Sequence, residues 1–284
     1  MWKYYAFRIA GFTLAYLPVQ VGYAIAGIAA DIVYLSSPSL RASVEDNMRH
    51  VLGTEADAAT LKRAARGVMR NAAKNYFDQI KIPRMNLRDI ENNITLKGWH
   101  NLEDALARGK GVVLVTAHLG SFDMGAQIFP ARSVKTTILV EPLEPPVLLN
   151  HVIALRESQG LNVVPVQLGT LRSIIRSLHD GEAVVVACDR DFGNDSLRSD
   201  FFGEEASLPV GAVRIAARTG AAIIPVFNLR RGANQYTMCF EPAVPIDYSG
   251  NGTVAENVRL VTEVLEKYIK KCPEQWVVLS PIWT

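Results

Sequence analysis

The sequence is poor in cysteine and lacks the glycine-rich motifs of nucleotide-binding proteins. Its 284 residues include three widely spaced cysteines, Cys188, Cys239 and Cys272, and no C-x-x-C pair. An odd number of dispersed cysteines argues against a zinc site or a disulfide framework and is typical of a reducing compartment. The absence of a G-x-G-x-x-G fingerprint, a P-loop and a G-x-S-x-G elbow argues against a dinucleotide site, a nucleoside-triphosphate site and an α/β-hydrolase serine nucleophile.

Acidic residues are scarce in one basic region, although the net charge of the whole chain is only +2. Residues 61–88 contain one acid, Asp78, and eight basic residues, a local net charge of +7: Lys62, Arg63, Arg66, Arg70, Lys74, Lys81, Arg84 and Arg88. Such a region favours an anionic partner, whether a lipid surface, a phosphorylated substrate or nucleic acid, but a solvated helix face would have the same composition. Nucleic acid is not expected, because base-stacking aromatic residues are not interleaved with the basic ones.

Charged residues are also missing from residues 9–30. This stretch is long enough to cross the hydrocarbon core of a bilayer. Pro18 and Gln20 interrupt it, so it could instead lie in the membrane interface or form a buried core helix. A cleaved signal peptide fits less well, because its apolar core would be shorter. The sequence favours a membrane-attached segment with aromatic residues suited to the headgroup level: Trp2, Tyr4, Tyr5, Tyr16 and Tyr23.

Two helices are predicted next, at residues 39–52 and 54–80, and alternating strands and helices follow them. Apolar, β-branched runs predict strands at residues 111–117, 136–140, 161–166, 183–188, 221–227 and 236–241. Helices are predicted at residues 102–108, 123–129, 146–158, 171–179, 210–219 and 253–271. The alternation predicts an α/β fold with a mostly parallel central sheet flanked by helices. We divide the chain into a membrane-associated helical segment, residues 1–35, and an α/β domain, residues 36–284.

A histidine and an aspartate follow the first of these strands, in the sequence His118-Leu-Gly120-Ser121-Phe-Asp123. This is the carboxyl edge of the predicted sheet, where open α/β sheets bind their ligands. An imidazole can remove a proton from an alcohol at neutral pH, and a nearby carboxylate can fix its tautomer. Gly120 would permit close approach of the backbone, while Ser121 and Asp123 would begin a helix whose free N–H groups face an oxyanion. The alternative is a histidine that makes only a structural hydrogen bond.

Three charged residues, Asp189, Arg190 and Asp191, come directly after the predicted strand at residues 183–188. They therefore lie at the same edge of the sheet. Arg190 could grip a phosphate or a carboxylate, and an aspartate could position it. The alternative is a polar turn in which Asp189 caps local N–H groups.

Two aromatic residues precede two acids at Phe201-Phe202-Gly-Glu204-Glu. The segment suits the mouth of an apolar pocket, but a packed loop would have the same composition. No metal is expected, because three other histidines supply no recognisable set of ligands: His100, His151 and His179.

Taken together, the four motifs resemble those of the bacterial lipid A acyltransferase family, within the wider lysophospholipid acyltransferases. They are H-x-x-x-x-D at His118 and Asp123, Asp-Arg-Asp after a strand, Phe-Phe-Gly-Glu204, and Pro-Glu-Gln-Trp276. The chain looks most similar to the phosphatidylinositol mannoside acyltransferase branch. The lipid A enzymes usually carry glutamate where this chain has Asp123, so the acceptor lipid stays open.

The resemblance implies transfer of a fatty acyl chain from a thioester, of coenzyme A or acyl carrier protein, to a hydroxyl of a glycolipid or phospholipid. His118 would be the general base, Asp123 or Glu204 would hold its ring, and Arg190 would bind a phosphate of the donor or the acceptor. No other cofactor is implied. The expected location is the cytoplasmic face of the inner (plasma) membrane, on a surface that is anionic. A membrane-associated esterase or thioesterase and a non-catalytic lipid-binding protein are the alternatives.

Overall fold

The computed structural model describes residues 11, 13–167, 169–191, 195–247 and 254–283. The predictions made for Trp2, Tyr4 and Tyr5 lie outside these residues.

Three helices form the amino-terminal part of the fold: α1 (Val19–Ser36), α2 (Pro38–Leu52) and α3 (Ala58–Lys81). The Asp57 side chain caps α3 by accepting a hydrogen bond from the backbone N–H of Thr60 at 2.6 Å. Helix α1 packs along α3 and buries Tyr23 and Tyr34 on that side. The approach is close at Gly22, where an added Cβ would lie 2.1 Å from the Phe77 ring.

The basic face of α3 is turned toward α1. The guanidinium groups of Arg66 and Arg70 both grip Asp31 of α1, with their closest N–O distances at 2.6 and 2.5 Å. Their hydrogen bonds hold the pKa of Asp31 well below its usual range. The Lys74 ammonium lies 5.6 Å from the centre of the Tyr23 ring. Much of the basic region therefore fastens α1 to the rest of the fold, which differs from the expected free basic stripe.

A seven-stranded sheet forms the centre of the molecule, in the order β1-β9-β8-β2-β5-β3-β4. Strands β8, β2, β5, β3 and β4 are parallel neighbours, whereas β9 runs antiparallel to β8 and carries β1 parallel to itself at the edge. A separate antiparallel hairpin joins β6 to β7. The strands are β1 (Ile94–Lys97), β2 (Val112–Thr116), β3 (Thr136–Val140), β4 (Asn162–Pro165), β5 (Ala183–Ala187), β6 (Ser196–Phe201), β7 (Glu204–Pro209), β8 (Ala222–Gly232) and β9 (Gln235–Phe240).

Helices cover both faces of this sheet, because alternate side chains of each central strand enter different cores. On β2, Val113 and Val115 join one core with residues of α2, α3 and the three helices α9 to α11, while Val112 and Leu114 join the other with residues of α4 to α7. The remaining helices are α4 (Leu87–Asn92), α5 (Trp99–Leu106), α6 (Phe122–Ala126), α7 (Ile128–Ala131), α8 (Pro146–Glu157), α9 (Thr170–His179), α10 (Gly211–Thr219) and α11 (Val254–Lys271).

The predicted α/β class with a mostly parallel, helix-flanked sheet is confirmed. Each predicted strand is present, most with an end shifted by one or two residues, and β3 has the predicted bounds. Strand β1 and the β6–β7 hairpin were not predicted. The hairpin strand Ser196–Phe201 alternates polar and apolar residues too weakly to stand out from a loop. The division of the chain at residue 35 stays a prediction.

Candidate active site

Strand register brings His118 and Asp189 together at the carboxyl edge of the sheet. Strands β2 and β5 are parallel neighbours in which Thr116 pairs with Ala187, and each of the two residues lies two positions beyond that pair. The His118 ring nitrogen Nδ1 lies 2.9 Å from Asp189 Oδ1. The backbone N–H of His118 donates to Asp189 Oδ2 at 2.8 Å. The carboxylate therefore fixes both the ring and the backbone of the histidine.

Asp189 is fully buried, and hydrogen-bond donors of His118 and Trp276 surround its carboxylate. The indole N–H of Trp276 donates to Oδ2 at 2.8 Å, beside the bond from the His118 backbone. Burial by itself would raise the pKa of Asp189, but the facing His118 and these hydrogen bonds together hold that pKa below its usual range. The group is therefore an anion at neutral pH.

An ionised carboxylate only accepts hydrogen bonds, so the Nδ1 atom of His118 must carry the proton in this pair. In the neutral ring, Nε2 then has the free lone pair of a base. The His118 side chain is 26% exposed and lines a groove, while the Asp189 side chain is inaccessible. The edge of the Phe122 ring packs against the imidazole, with 5.6 Å between ring centres.

The two carboxylates expected to hold the His118 ring contact other residues. Asp123 accepts from Arg156 of α8, with Nε and Oδ1 at 2.6 Å, and from Gln79 at 3.2 Å. Glu204 lies at the turn of the β6–β7 hairpin, two-thirds exposed, with its carboxylate 3.2 Å from His50. Strand pairing explains the difference, because it places Asp189, two residues after β5, beside His118, whereas Asp123 on α6 bonds Arg156 of α8.

Gly120 and Ser121 support the loop that carries His118. Gly120 has φ +70°, and an added Cβ would lie 2.1 Å from the backbone oxygen of Asn228. The Ser121 hydroxyl is buried and donates to Asp78 Oδ2 at 2.7 Å. The backbone N–H groups of both residues are already bonded, to Gln275 O and Asn228 O, each at 2.9 Å. These two N–H groups are therefore not available to an oxyanion, and the expectation that the first N–H groups of the helix itself face one stays a prediction.

A buried polar network lies beneath this loop. Arg230 of β8 donates to Asp78 at 2.9 Å and to Asn75 at 2.6 Å, and Tyr23 of α1 donates to Asp78 at 2.8 Å. Asn75 in turn donates to the Gly120 carbonyl at 2.7 Å. The network thus links α1, α3 and β8 to the loop that carries His118.

The groove has a volume of about 580 Å³ and crosses the carboxyl edge of β2, β5 and β3. Arg190 lies in its wall, about a quarter exposed, where it pairs with Glu141 at the end of β3. Asp191 is half-buried and follows it. Apolar side chains of β3, β5, α6 and α8 form one wall: Ala126, Ile138, Val140, Leu149, Val152 and Val185. The groove thus combines one base, two arginines and a long apolar surface.

This combination of residues agrees with the comparison to known proteins. A family model described as bacterial lipid A biosynthesis acyltransferase matches residues 1–284. The chain belongs to this family. The family predicted from the four motifs is thereby confirmed, and the protein is an acyltransferase.

Curated relatives of the acyltransferase carry two kinds of name. It is 28% identical to a phosphatidylinositol mannoside acyltransferase of Mycobacterium tuberculosis over 242 residues, 84% of this chain and 75% of the relative. It is 25% identical to the enzyme of that name from Mycolicibacterium smegmatis over 221 residues, 77% and 71% of the two chains. A lipid A biosynthesis acyltransferase of Haemophilus influenzae is 26% identical over 183 residues, 63% and 56% of the two chains.

The later motifs of the acyltransferase form an aromatic cluster behind the site. The Phe201 ring packs edge-on against Trp276, at 5.9 Å between ring centres, and Phe202 lies 6.2 Å from the same indole. Trp283 stacks on Phe201 at 5.7 Å. The Phe-Phe-Gly-Glu segment therefore packs around the tryptophan that bonds Asp189, and Phe201 and Trp276 are both fully buried.

Three site residues of the acyltransferase were not predicted: Glu141, Arg156 and Gln79. Glu141 directly follows β3, so its position at the strand edge was a usable signal. Arg156 and Gln79 lie on helices whose rotation about the sheet only the packing determines. Among the described residues, no group of three His, Cys, Asp or Glu side chains is arranged as metal ligands would be.

Proposed function

We propose that the protein transfers a fatty acyl chain from a thioester to a hydroxyl of a lipid acceptor, with His118 as the general base. The observation that carries the proposal is the bond from the His118 ring to a buried carboxylate, which leaves Nε2 as a base in the groove. The names of the relatives support a glycolipid or phospholipid acceptor, of the phosphatidylinositol mannoside or lipid A type.

In the proposed reaction, Nε2 of His118 takes the proton of the acceptor's hydroxyl group while the hydroxyl oxygen attacks the thioester carbonyl. The resulting imidazolium is stabilised by Asp189. Collapse of the tetrahedral intermediate breaks the carbon–sulfur bond, and the thiolate takes the proton back from His118. Because a thiol has a pKa of about 8–9, it leaves without strong acid assistance, and no covalent enzyme intermediate or other cofactor is needed.

The two arginines and the apolar wall suit the remaining parts of the substrates. Asp123 holds Arg156 and Glu141 holds Arg190, so both guanidinium groups are fixed at the groove, and they provide positive charge for a phosphate or a developing oxyanion. The apolar wall formed by β3, β5, α6 and α8, which we call the apolar wall beneath α8, suits the binding of an acyl chain.

Purified protein with a labelled acyl thioester and a lipid acceptor tests the proposal. His118→Ala should reduce acyl transfer by about a hundredfold to ten-thousandfold. The matched control His100→Ala, at an exposed position on α5, should retain activity. Mass spectrometry of the products separates the alternatives: free fatty acid without acylated lipid would indicate an esterase or thioesterase. Lipid binding without consumption of the donor would indicate a non-catalytic protein. Normal acyl transfer by a folded His118→Ala variant would contradict the role of His118 as the general base.

We also propose that α1 attaches the protein to the cytoplasmic face of the inner (plasma) membrane. The face of α1 opposite α3 presents exposed apolar side chains at steps of three and four: Val21, Ile25, Ile28, Ile32 and Leu35. By length and composition alone, α1 is the one candidate span among the described residues. Since its other face packs along α3, we propose that it lies in the interface. The exposed Lys62 and Arg63 of α3 would favour anionic lipid.

Vesicle flotation tests this attachment. Ile28→Glu with Ile32→Glu should weaken binding by at least about a hundredfold, because burial of each isoleucine is worth about 1.5–3 kcal/mol. Leu171→Glu, at another exposed apolar position, on α9, is the control and should bind as the unaltered protein does. Equal binding of the double variant would contradict attachment through α1, and equal binding to neutral and anionic vesicles would contradict the electrostatic part.

A further inference from the structure

The last residues of the chain form an extended strap, residues 276–283, that runs from the site to α2. At one end, Trp276 bonds Asp189, and the backbone N–H of Val277 donates to the carbonyl of His118 at 2.8 Å. At the other end, the ring of Trp283 stacks on His50 of α2, with 3.9 Å between ring centres. The strap therefore connects the proposed base to a helix outside the sheet.

One buried side chain of α2, Asn47, hydrogen-bonds to three backbone groups in the middle of the strap. Its amide nitrogen donates to Val278 O at 3.2 Å and to Ser280 O at 2.8 Å, and its amide oxygen accepts from the backbone N–H of Ile282 at 3.3 Å. Asn47 is fully buried, so water cannot replace these bonds. Both N–H groups of the amide are used, which fixes the orientation of the side chain as well as the path of the strap.

The strap also lines the groove, with residues separate from those of the apolar wall formed by β3, β5, α6 and α8. Four consecutive residues line it, Val277 to Ser280, and the buried side chains of Val278 and Ile282 also join the core, which anchors the segment. Helix α3 lines the groove as well, with Ala72 and Tyr76, and the bond from Asn71 to Glu274 O holds this helix against the chain just before the strap. We call this part of the groove, between the strap and α3, the strap arm.

The strap arm is bordered by α3, the helix against which α1 packs. Lys74 and Phe77 of α3 contact Tyr23 of α1. Other side chains of the same helix line the groove: Ala72, Tyr76 and Gln79. One helix therefore contacts both α1 and the groove. Tyr76, which is 58% exposed, stands at the rim. A lipid whose tails stay in the bilayer under α1 would reach His118 by this side, which leaves the apolar wall beneath α8 for the acyl chain of the donor.

We infer that the strap arm receives the lipid acceptor and that Asn47 is a positioning residue that sets its width. This inference rests on the proposed acyl transfer and assigns its two substrates to different ends of one groove. Asn47 touches neither substrate. It acts by holding Val278 and Ser280, so its loss would shift the wall that the acceptor contacts and would leave the donor's wall in place.

Steady-state kinetics of Asn47→Ala with a labelled acyl thioester and a lipid acceptor test the inference. We expect the KM for the acceptor to rise about five- to tenfold, the effect of one or two lost hydrogen bonds, with the KM for the donor within about twofold of its usual value. The pH profile of kcat should keep its shape, because the bond between His118 and Asp189 is untouched.

A matched control is Asn71→Ala. Asn71 of α3 also holds the carboxyl-terminal chain through its amide, donating to Glu274 O at 2.8 Å, but Glu274 does not line the groove. It should lower the stability of the protein and leave both KM values unchanged. A merely structural role of Asn47 would give the same result as this control, with less folded enzyme and unchanged KM values.

Leu279→Ala shortens a side chain that lines the strap arm and leaves Asn47 unchanged. It tests the inference even if Asn47→Ala does not fold. It should raise the KM for the acceptor and spare that of the donor. An increase confined to the donor, or no change in either KM, would overturn the inference while the unaltered protein still transfers acyl chains. A failure of the unaltered protein to acylate any lipid would overturn the proposed function itself.

Discussion

Replacement of Asp189 by asparagine removes one charge and almost no volume from the site. The buried carboxylate faces the His118 ring at 2.9 Å between Nδ1 and Oδ1, so the centres of charge in the carboxylate–imidazolium pair lie roughly 4 Å apart. At an effective dielectric constant of about 20, two opposite charges at that distance attract by about 4 kcal/mol, equivalent to about a thousandfold in rate. Asparagine can also donate to Nδ1, which would place the proton on Nε2 and disable the base.

We therefore expect Asp189→Asn to reduce kcat for acyl transfer by about a thousandfold or more, with the KM values little changed. The assay is acylated lipid formed per minute under saturating donor and acceptor, with circular dichroism to confirm the fold. Asp195→Asn is the control, because Asp195 pairs with Arg214 on the surface and should leave kcat unchanged. A folded Asp189→Asn protein within tenfold of the usual kcat would refute the electrostatic argument.

Three further changes follow from other contacts. Trp276→Phe removes the indole donor to Asp189 but keeps an aromatic ring, so kcat should fall about tenfold; an unchanged kcat would argue against the role of this bond. In Asp31→Asn, thermal denaturation should show the largest loss of stability above about pH 5. That difference should shrink as pH falls below about 4, because Asp31 then takes up a proton in the unfolded chain while its depressed pKa keeps it ionised in the folded protein; the same difference at pH 3 and pH 7 would contradict the ion pairs. Gly120→Ala should cost at least about 2–3 kcal/mol in urea denaturation, against about 1 kcal/mol for Gly109→Ala, which shares the positive φ but has open space; equal costs would count against the close approach.

Local patterns were enough to predict the sheet and the position of the base. The apolar runs that became β2, β3 and β5 ended within one residue of their predicted ends, and a titratable residue follows each of them at the same edge. His118 and Arg190 were therefore placed at the groove from the sequence alone, since a parallel sheet collects the residues after its strands.

The partner of His118 was not predictable in the same way. Sequence distance favoured Asp123, but the order of the strands decides which residue after a strand becomes a neighbour, and β5 lies next to β2. Asp189 was noted as a residue at the edge, yet nothing in the spacing showed that it would be buried beneath the imidazole. The contact between Asn47 and the strap could not be predicted either. An amide that bonds three backbone groups of a distant segment leaves no periodic pattern in the sequence.

The basic region of residues 61–88 has partners inside the protein that its charge pattern did not reveal. Eight basic residues in residues 61–88 predicted an anionic partner, and for Arg66 and Arg70 the structure supplies one inside the chain, Asp31. The pattern of charge alone does not distinguish an internal carboxylate from a lipid phosphate. An internal partner also explains why the apolar helix α1 can remain attached to a polar face of α3.

The most direct test of the central claim, that His118 and Asp189 act as one base, is a double-mutant cycle on kcat for acyl transfer. His118→Ala, Asp189→Asn and the double variant are compared with the unaltered protein under saturating substrates. We predict that the double variant is no slower than His118→Ala alone, because a carboxylate has no base left to orient once the imidazole is gone. Losses that multiply, so that the double variant is slower by the product of the two single effects, would show that the residues act separately and would contradict the account.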